Sequence, residues 1–538
     1  MFKKILALIL AMIMIAATFV GCGEEEEEDG KADTDASARV AMTLSLWMPT
    51  EEGTTPEAIA LVEEAINDIT RAQFDTAIEL HLIPRSEYQA AIDARMAEIE
   101  EAIANDKSSG GKREEETAAP GTVEQETYVN ELGISVTQYP SVGEKQMDIF
   151  LIKGYDKYIE YADNMQLVQL DDELRSNSKI LKSYIYPTFL EIANHYGTFA
   201  IPNNHPVGTY KYLLVNKELV DKYDYHPDNL TSLLKCEDFI IDIGNQNLEG
   251  VIPLLSYVEP NNMVYWGLEE GEWSILASQM TNSSSYKQAN TPKSIFTLGA
   301  YINTVLLMKT FDELGYIGDG TLEEGEKFAV GVIEGNPKTI AEYEDEYYIS
   351  IYSNPMFVEE DVFGSMFAIS QYTKNSARAM EIITYLNTNT DLRTVLQYGV
   401  EGVHWEYEDE SKETIRIISD EYQMNLLETG NVYMTYPGEG ISMDEWEYGK
   451  QQNLDSISSP YMGFRSYVTD ENRELLEELA ELSAEIKAEF DSCTAAEFKA
   501  FANSYKASLR DNELVVELTD NNIKHSLTAI YEEWFATK

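Results

Sequence analysis

The hydrophobic pattern of residues 42–69 changes from a period of two to the period of a helix. Met42–Met48 alternates apolar with polar side chains, which predicts a half-buried strand. Thr55 is a suitable helix N-cap, and Pro56 suits the first helical position. The apolar residues that follow recur three or four positions apart, at Ile59, Val62, Ile66 and Ile69. This segment therefore predicts a strand followed by an amphipathic helix.

The same unit recurs over the next hundred residues. Ile78–Ile83 predicts a second strand, and Ser86 with Gln89 forms a capping-box pattern at the start of a helix. The apolar stripe of that helix consists of Tyr88, Ile92, Met96, Ile99 and Ile103. Asp148–Ile152 predicts a third, buried strand. The order strand, helix, strand, helix, strand predicts a parallel sheet with helices on its faces, and so an α/β fold.

The pattern is interrupted once and then continues to the end of the chain. Residues 106–125 lose periodicity and gain Gly, Lys and Glu, which predicts a surface insertion. Met366–Ser370 predicts a further strand, and Asn375 suits the N-cap of the helix after it. The spacing also predicts helices over Leu475–Phe490 and near Ile523–Trp534, and no internal repeat is found.

The N-terminal residues have the pattern of a secretory signal. Lys3 and Lys4 precede the apolar run Ile5–Val20, which is short for a membrane-spanning helix. The residues Phe-Val-Gly-Cys22 resemble a bacterial lipobox, although Phe replaces the usual Leu. The resemblance implies cleavage after residue 21 and lipid attachment to Cys22. The alternative is an ordinary signal peptide, 1–21, with a chance cysteine.

An acidic segment follows Cys22. Glu24–Glu28 are five consecutive glutamates, and residues 22–39 have no hydrophobic periodicity. Such a segment cannot bury enough surface to fold, and its like charges keep it extended. We therefore predict a disordered tether between a lipid anchor on the outer face of the cell membrane and the folded body.

Composition restricts the classes of function. The chain has 538 residues, which suggests two or more lobes, and its formal net charge is −56. This acidity disfavours binding to nucleic acid. Besides Cys22 only Cys236 and Cys493 are present, which favours two free buried thiols, with a single disulfide as the alternative. No metal, nucleotide or hydrolase motif is found, so no cofactor and no catalytic residue are predicted.

Four stretches resemble the extracellular solute-binding proteins of ABC importers, in particular the maltose-binding-like group that carries sugars. Leu44–Pro49 is similar to the opening strand of the family, where a Trp is usual. Asp148–Leu151 with Leu167–Asp171 is similar to a second family segment. The family's two crossovers resemble Tyr196–Pro202 with Tyr212–Lys217, and Met366–Ser370 with Ala377–Leu386.

This resemblance implies a two-lobed, periplasmic-binding-protein-like (type II) fold with a hinge and a ligand in the cleft between the lobes. We expect one lobe to contain residues 40–204 and 363–415, and the other to contain residues 205–362 and 416–538. Ligands of α/β sheets bind beyond the carboxyl ends of the strands, and a hinge lets a cleft close over them.

Candidate ligand-binding residues are aromatic side chains for the faces of sugar rings and polar side chains for their hydroxyls. The chain has 34 Tyr and six Trp. Trp47 lies at the end of a predicted strand, with core packing as the alternative. Asn203 and Asn204 follow the predicted first crossover, with a simple Asn turn as the alternative. Tyr210 and Tyr212 come next along the chain.

The remaining candidates lie in the second half of the chain. Trp266 and Trp273 lie in a polar loop, where docking onto the lobe surface is the alternative. The glycine-containing segment 398–405 presents Glu401, His404 and Trp405, and no nucleophile pairs with His404 by motif. The last candidates resemble the family's C-terminal cleft segment and are Trp446, Asn453 and Asp455.

The sequence therefore predicts a monomeric binding lipoprotein that delivers a sugar or an oligosaccharide to ABC transporter permeases. A peptide or another polar solute is the alternative ligand. A surface glycan hydrolase would need two carboxylates at a fixed separation, which the sequence does not show. A structural or adhesion lipoprotein without a small ligand is the third alternative.

Overall fold

The computed structural model describes residues 39–108, 127–129, 135–260, 265–267, 273–279, 292–438 and 441–536. The predicted signal peptide 1–21, the lipidation site Cys22 and the tether up to residue 38 lie outside the described residues, as does most of the predicted insertion. The chain divides into two units, residues 1–40 and residues 41–538, and only Arg39 and Val40 of the first unit are described.

The strands of the described part form several small sheets. They are β1 (Met42–Thr50), β2 (Thr76–Pro84), β3 (Thr127–Val129), β4 (Ser135–Thr137), β5 (Ile149–Ile152), β6 (Ala200–Pro202), β7 (Tyr210–Asn216), β8 (Val251–Leu254), β9 (Tyr265–Gly267), β10 (Leu276–Gln279), β11 (Lys293–Ser294), β12 (Lys327–Gly335), β13 (Tyr347–Ser353), β14 (Met366–Ile369), β15 (Trp405–Tyr407) and β16 (Ile415–Ile417).

The α-helices of the described part range from one turn to more than six. They are α1 (Pro56–Phe74), α2 (Arg85–Ser108), α3 (Tyr155–Asp163), α4 (Asp171–Arg175), α5 (Pro187–Ile192), α6 (Lys217–Lys222), α7 (Glu237–Gln246), α8 (Gly299–Glu313), α9 (Pro337–Ala341), α10 (Glu359–Phe363), α11 (Ser376–Thr388), α12 (Thr390–Tyr398), α13 (Met443–Asp455), α14 (Asp470–Ser492), α15 (Ala495–Arg510), α16 (Glu513–Thr519) and α17 (Leu527–Ala536). None of the described helices combines the length and the apolar character that a membrane-spanning helix needs.

The first sheet has the strand order β2-β1-β5-β14-β6. Strand β1 is parallel to β2 and to β5, as the alternating strands and helices of the sequence predict, and Thr55 caps α1 as predicted. Strand β14 is antiparallel to both β5 and β6. The strands β1, β2, β5 and β6 therefore end at the same edge, which we call the crossover edge of the first sheet.

The second sheet has the order β13-β7-β12-β8, with β7 antiparallel to β12 and β13 and with β12 parallel to β8. Side chains of β7 alternate between two hydrophobic clusters: Leu213 and Val215 pack on one face, and Tyr212 and Leu214 pack on the other. The chain passes from the first sheet to the second through residues 203–209 and returns through residues 354–365. Two sheets joined by crossing segments form the two-lobed α/β architecture.

The C-terminal helices pack differently from the predicted lobe assignment. The resemblance predicts residues 416–538 in the second lobe, whereas Leu479, Phe498 and Trp534 lie in the hydrophobic cluster that contains the first sheet. Helix α8 contributes to both clusters, with Tyr301 in the first and Phe311 in the second. An apolar stripe predicts that a helix is buried but not which core it joins. The exact lobe boundaries stay a prediction.

Candidate functional site

Charged residues follow directly on three strands at the crossover edge of the first sheet. Glu51 follows β1, Arg85 follows β2 and Lys153 follows β5. The Arg85 guanidinium donates to Glu51 Oε1 at 2.6 Å. It also makes a two-pronged contact with Glu428, at 2.6 Å and 2.9 Å. Lys153 Nζ donates to the same Glu428 carboxylate at 2.6 Å.

These four residues, Glu51, Arg85, Lys153 and Glu428, form what we call the edge quartet. Two acids and two bases make it neutral overall. The hydrogen bonds that Arg85 donates to Glu428 and Glu51 raise the pKa of Arg85 above its usual value, despite partial burial. The Glu428 side chain is only 5% exposed, whereas those of Arg85 and Lys153 are 30% and 33% exposed. The quartet therefore holds a buried carboxylate and presents its cations at the edge of the sheet.

A short turn positions Glu428. The Asn425 side chain accepts from the backbone N–H of Leu427 and starts the turn. The buried guanidinium of Arg393 donates to the carbonyl of Leu426 at 2.8 Å, and burial lowers the pKa of Arg393 to about 9. The turn is thus fixed from inside the first lobe, and it carries Glu428 to the ends of β2 and β5.

Asn203 follows β6 at the same edge. Its amide donates to Ser365 Oγ at 2.6 Å and to the carbonyl of Leu427 at 3.1 Å. Its side-chain oxygen is buried and accepts no hydrogen bond among the described residues. A buried acceptor without a donor is costly, so this oxygen is an unused acceptor at the crossover edge.

The other asparagine of this pair is used within the protein. The Asn204 side chain accepts from the N–H of Tyr186 at 3.3 Å and donates to the carbonyl of Tyr184 at 3.1 Å. Its backbone carbonyl accepts from the N–H of Val432 at 2.8 Å. Asn204 therefore fixes the start of the crossing segment.

Asn453 joins helix α13 to the first crossing segment. Its side-chain oxygen accepts from the N–H of Val207 at 3.0 Å, and its amide donates to the carbonyl of His205 at 2.6 Å. The Asn453 side chain thus makes the two hydrogen bonds that a neighbouring strand would otherwise make with the backbone of residues 205–207. Ile457, just after α13, forms a backbone β-bridge with the returning segment at Met356.

The two crossing segments approach each other closely at Gly208. A β-carbon on this glycine would lie 2.5 Å from the carbonyl oxygen of Met356. Glycine is therefore required there by the distance between the two backbones. Residues 203–209, 354–358 and 453–457 form a packed group that joins the two sheets.

Three further predicted residues lie near this group. Tyr210 starts β7, and its hydroxyl donates to the carboxylate of Asp455 at the end of α13. Burial, and then the Asp455 carboxylate, raise the pKa of Tyr210 well above its usual value. Trp446 is buried in α13 and contacts the ring of Tyr433 edge-on at 6.1 Å. Tyr212 packs in the core on one face of the second sheet.

The three candidates of segment 398–405 form a local structure of their own. His404 is buried, and its Nδ1 accepts from the N–H of Val400 at 3.0 Å. The Trp405 indole donates to the carbonyl of Gly399 at 3.0 Å. Burial lowers the pKa of His404 below its ordinary value. Of the three candidates in this turn, only Glu401 is exposed.

The tryptophan candidates lie elsewhere. The prediction that Trp47 ends a strand is wrong, because β1 continues to Thr50, and its indole stacks on His81 at 4.0 Å on the sheet face. Trp273 is buried in the core, where its indole donates to the hydroxyl of Tyr301 at 2.8 Å. The backbone of Trp266 lies in β9, and its side chain is outside the described residues.

The structure thus brings together seven candidates around the crossing segments: Asn203, Asn204, Tyr210, Tyr212, Trp446, Asn453 and Asp455. Whether they contact a ligand stays a prediction.

Sequence reasoning missed the edge quartet and Tyr257, a half-exposed aromatic residue that follows the end of β8. A partial signal was present, because Lys153 is the first residue after a predicted strand, and Glu51 and Arg85 lie within three residues of the ends of two others. In the described part of the chain, no group of three or more acidic, His or Cys side chains is placed to hold a metal. Cys236 and Cys493 are free thiols, the former buried and the latter partly buried.

Comparison with known proteins supports the fold. No family model matches the chain. A "Carbohydrate ABC transporter substrate-binding protein" of Streptococcus pneumoniae is 34% identical over 102 residues, which is 18% of this chain. The match spans about a fifth (21%) of the length of that curated relative.

The crystal structure of the N-glycan transport solute binding protein (NgtS) from S. pneumoniae is similar over 92% of this chain and 99% of its own, with a TM-score of 0.50 and 16% identity. An extracellular solute-binding protein from Bifidobacterium longum subsp. infantis covers 92% of this chain and 98% of its own, at a TM-score of 0.41 and 14% identity. The likeness to NgtS shows the two-lobed fold of solute-binding proteins, and the predicted fold class and the resemblance to that group are thereby confirmed.

Proposed function

We propose that this chain is an extracellular solute-binding protein that captures a sugar or oligosaccharide between its two lobes and delivers it to an ABC importer. The observation that carries the proposal is the fold, which matches a solved solute-binding protein over nearly the whole of both chains. The short curated match, to a carbohydrate substrate-binding protein, supports the same class of ligand.

The arrangement of the two sheets suits capture and release. Strands β6 and β7 are connected directly by residues 203–209, and β13 is connected to β14 by residues 354–365. Both connections join the crossover edge of the first sheet to the end of the second sheet at which β7 begins and β13 ends. A ligand that binds between the two sheets favours the closed arrangement of the lobes over the open one. The shift equals the difference between its binding free energies for the two arrangements. No bond has to be made or broken.

The chemistry at the crossover edge suits a neutral, hydroxyl-rich ligand. The cations of the edge quartet are already neutralised by Glu51 and Glu428, so the quartet has no net charge with which to attract an anion. Its partly exposed Arg85 and Lys153 can still donate further hydrogen bonds, and Asn203 at the same edge keeps an unpaired side-chain oxygen. Tyr257, three residues after the end of β8 in the second sheet, is half-exposed, and a ring of this kind can pack against the face of a sugar.

The setting of the protein follows from the same proposal. The chain would be exported and held on the outer face of the cell membrane through a lipid on Cys22. It would act as a monomer without a cofactor and without catalysis. Its protein partners would be the permease subunits of the importer, docked on both lobes.

The test is thermal unfolding of residues 31–538 in the presence of candidate ligands. The panel contains mannose- and N-acetylglucosamine-containing oligosaccharides, malto-oligosaccharides, short peptides and polyols. A ligand that binds only the folded state stabilises it by about 2.7 kcal/mol at a hundredfold excess over its dissociation constant. We expect such a shift with one saccharide series and recovery of the unchanged saccharide afterwards.

The other outcomes identify the alternatives. A shift with peptides or polyols alone would keep the binding protein and reject the sugar. Consumption of the saccharide would favour a glycan hydrolase. Absence of any shift over the whole panel would favour a structural lipoprotein.

A further inference from the structure

A second feature of the first lobe has the composition of a ligand site. A cavity of about 310 Å³ is lined by Gln169, Asp171, Arg175, Asn194, Tyr196, Gly197 and Tyr467. Its volume lies at the small end of the range of about 300–1,000 Å³ that is usual for ligand pockets. The lining loop 194–198 precedes β6, whereas Asn203 follows it. The cavity therefore lies at the opposite end of that strand from the crossover edge.

The loop that lines the cavity presents an aromatic ring to solvent. The N–H of His195 donates to the carbonyl of Gly197 at 2.9 Å, and Asn194 pairs with Thr198 across the loop. Tyr196, at the tip, has φ of +53° and is 75% exposed. Such a backbone conformation is uncommon outside glycine, so the fold holds this residue against its own preference.

A second ring forms the back of the cavity. The Tyr467 ring lies 5.0 Å from that of Tyr196, at an angle of 50°. Tyr467 is held in place by Trp534 at 6.0 Å and by His195 at 5.7 Å, and a hydrogen bond to Asp163 fixes the imidazole of His195. The rear ring is thus rigid, and the front ring is free on one face.

The polar side chains around these rings keep unused hydrogen-bonding capacity. Asp171 accepts from the N–H of Thr198 and from the amide of Gln169, both at 2.9 Å, which orients that amide. The Gln169 side-chain oxygen accepts no hydrogen bond within the described residues. Arg175 donates one hydrogen bond, to Asp172, and its side chain is 67% exposed. An acceptor, several donors and a ring face therefore converge on one cavity.

We propose that this cavity is an accessory subsite that binds one pyranose unit of a saccharide, stacked on Tyr196. The lining contains one acidic side chain, Asp171, and one basic side chain, Arg175, and Arg175 is paired with Asp172. The donors and acceptors that remain suit the hydroxyls of an uncharged sugar. The assignment rests on the proposed function in that it concerns the same class of ligand. It adds a second point of contact with a saccharide outside the space between the lobes.

Hydrogen exchange measured by mass spectrometry can locate such a site. The full-length protein is titrated with glucose, mannose, galactose and N-acetylglucosamine, and with oligosaccharides built from them. We expect protection of residues 194–198 and 169–175 with at least one saccharide. Tyr196→Ala should raise the half-saturating concentration for this protection about tenfold, whereas Tyr196→Phe should leave it unchanged.

Met165→Ala is the matched control, because Met165 is 80% exposed and also has a positive φ of +56°. It should not change the protection of residues 194–198. Protection confined to residues 203–209 and 354–365 would overturn the accessory subsite and leave the proposed function intact. Absence of saccharide protection at residues 194–198, together with a thermal shift on peptides alone, would overturn the accessory subsite and the sugar as ligand, and would keep the binding protein.

Discussion

The crossover edge of the first sheet and the turn at residues 399–405 both collect side chains that suit ligand contact, but they use them differently. In the turn, His404 and Trp405 bond to backbone groups at most six residues away, and both are buried. At the edge, Glu428 bonds to Arg85 and Lys153, which are 343 and 275 residues away. The turn satisfies its own polar groups. The edge depends on the assembled sheet, and it keeps cations partly exposed and the Asn203 oxygen unpaired.

This contrast shows which polar residues are available to a ligand. A polar group that closes a local turn has few unused hydrogen-bond donors or acceptors. A group that is held by long-range contacts at the ends of strands can retain unused donors and acceptors. We therefore favour the crossover edge over the turn as the place of ligand contact.

The largest expected effect is that of Glu428→Gln. This change leaves Arg85 and Lys153 without their buried carboxylate, and breaking a buried ion pair costs about 3–5 kcal/mol. We expect about 3 kcal/mol, at the low end, because solvent reaches about a third of both cations. Urea unfolding of the variant and of the parent protein measures the difference.

The control for this substitution lies in the hairpin beside the turn. Glu406→Gln removes the partner of Arg416, and both of these side chains are about half exposed. We expect a loss below about 0.5 kcal/mol. Equal losses for the two variants would remove the distinction between the edge and the hairpin.

The next effect is that of Gly208→Ala in the crossing segment. The new methyl group would lie 2.5 Å from the Met356 carbonyl, so one of the two backbones has to move. We expect a loss of about 2 kcal/mol, within the range for overpacking. Gly438→Ala is the control, because a β-carbon there meets nothing within 4 Å. A neutral Gly208→Ala variant would show that the crossing segments separate easily.

Hydrophobic periodicity was sufficient to predict the parallel part of the first sheet. The strand and helix pattern of residues 42–152 fixed β1, β2 and β5 and the helices between them, because period and capping are local properties. The edge quartet needed more than this. Glu428 lies in a turn without periodicity, and only the assembled sheet brings it to Arg85 and Lys153.

The tryptophan candidates show a second limit. Trp273 follows a polar loop, and its burial depends on Phe490 in a helix more than two hundred residues later. No local pattern contains that contact. Three of the seven candidates around the crossing segments, Asn203, Asn453 and Asp455, were found through the family resemblance and the loops near crossovers. Their local sequence alone did not distinguish them from ordinary turn and helix residues.

A smaller effect, which depends on pH, is expected in the turn itself. Burial lowers the pKa of His404, so the folded protein keeps this imidazole neutral while the unfolded chain protonates it below about pH 6.5. The contribution of His404 to stability is therefore present above that pH and decreases as the pH falls toward the folded-state pKa. His404→Asn should cost about 1–2 kcal/mol at pH 8, and this cost should shrink by pH 5.

Urea unfolding between pH 5 and 8 measures this change in the difference between variant and parent. The exposed His226 provides a control, since His226→Asn should alter stability by less than about 0.5 kcal/mol throughout. A cost of His404→Asn that is constant with pH would mean that His404 stabilises the turn by packing alone.

The smallest effect is expected where the second sheet meets helix α13. Tyr210→Phe removes the hydroxyl that donates to Asp455 and leaves the ring in place. We expect a loss of about 1 kcal/mol, the net value of one hydrogen bond. Tyr212→Phe is the matched control two residues along the same strand, because the Tyr212 hydroxyl makes no hydrogen bond within the described residues, and it should be nearly neutral. If Tyr210→Phe is also neutral in urea unfolding but changes the affinity for the identified ligand, Asp455 exchanges its tyrosine partner for the ligand. The crossing segments would then belong to the binding site as well as to the hinge.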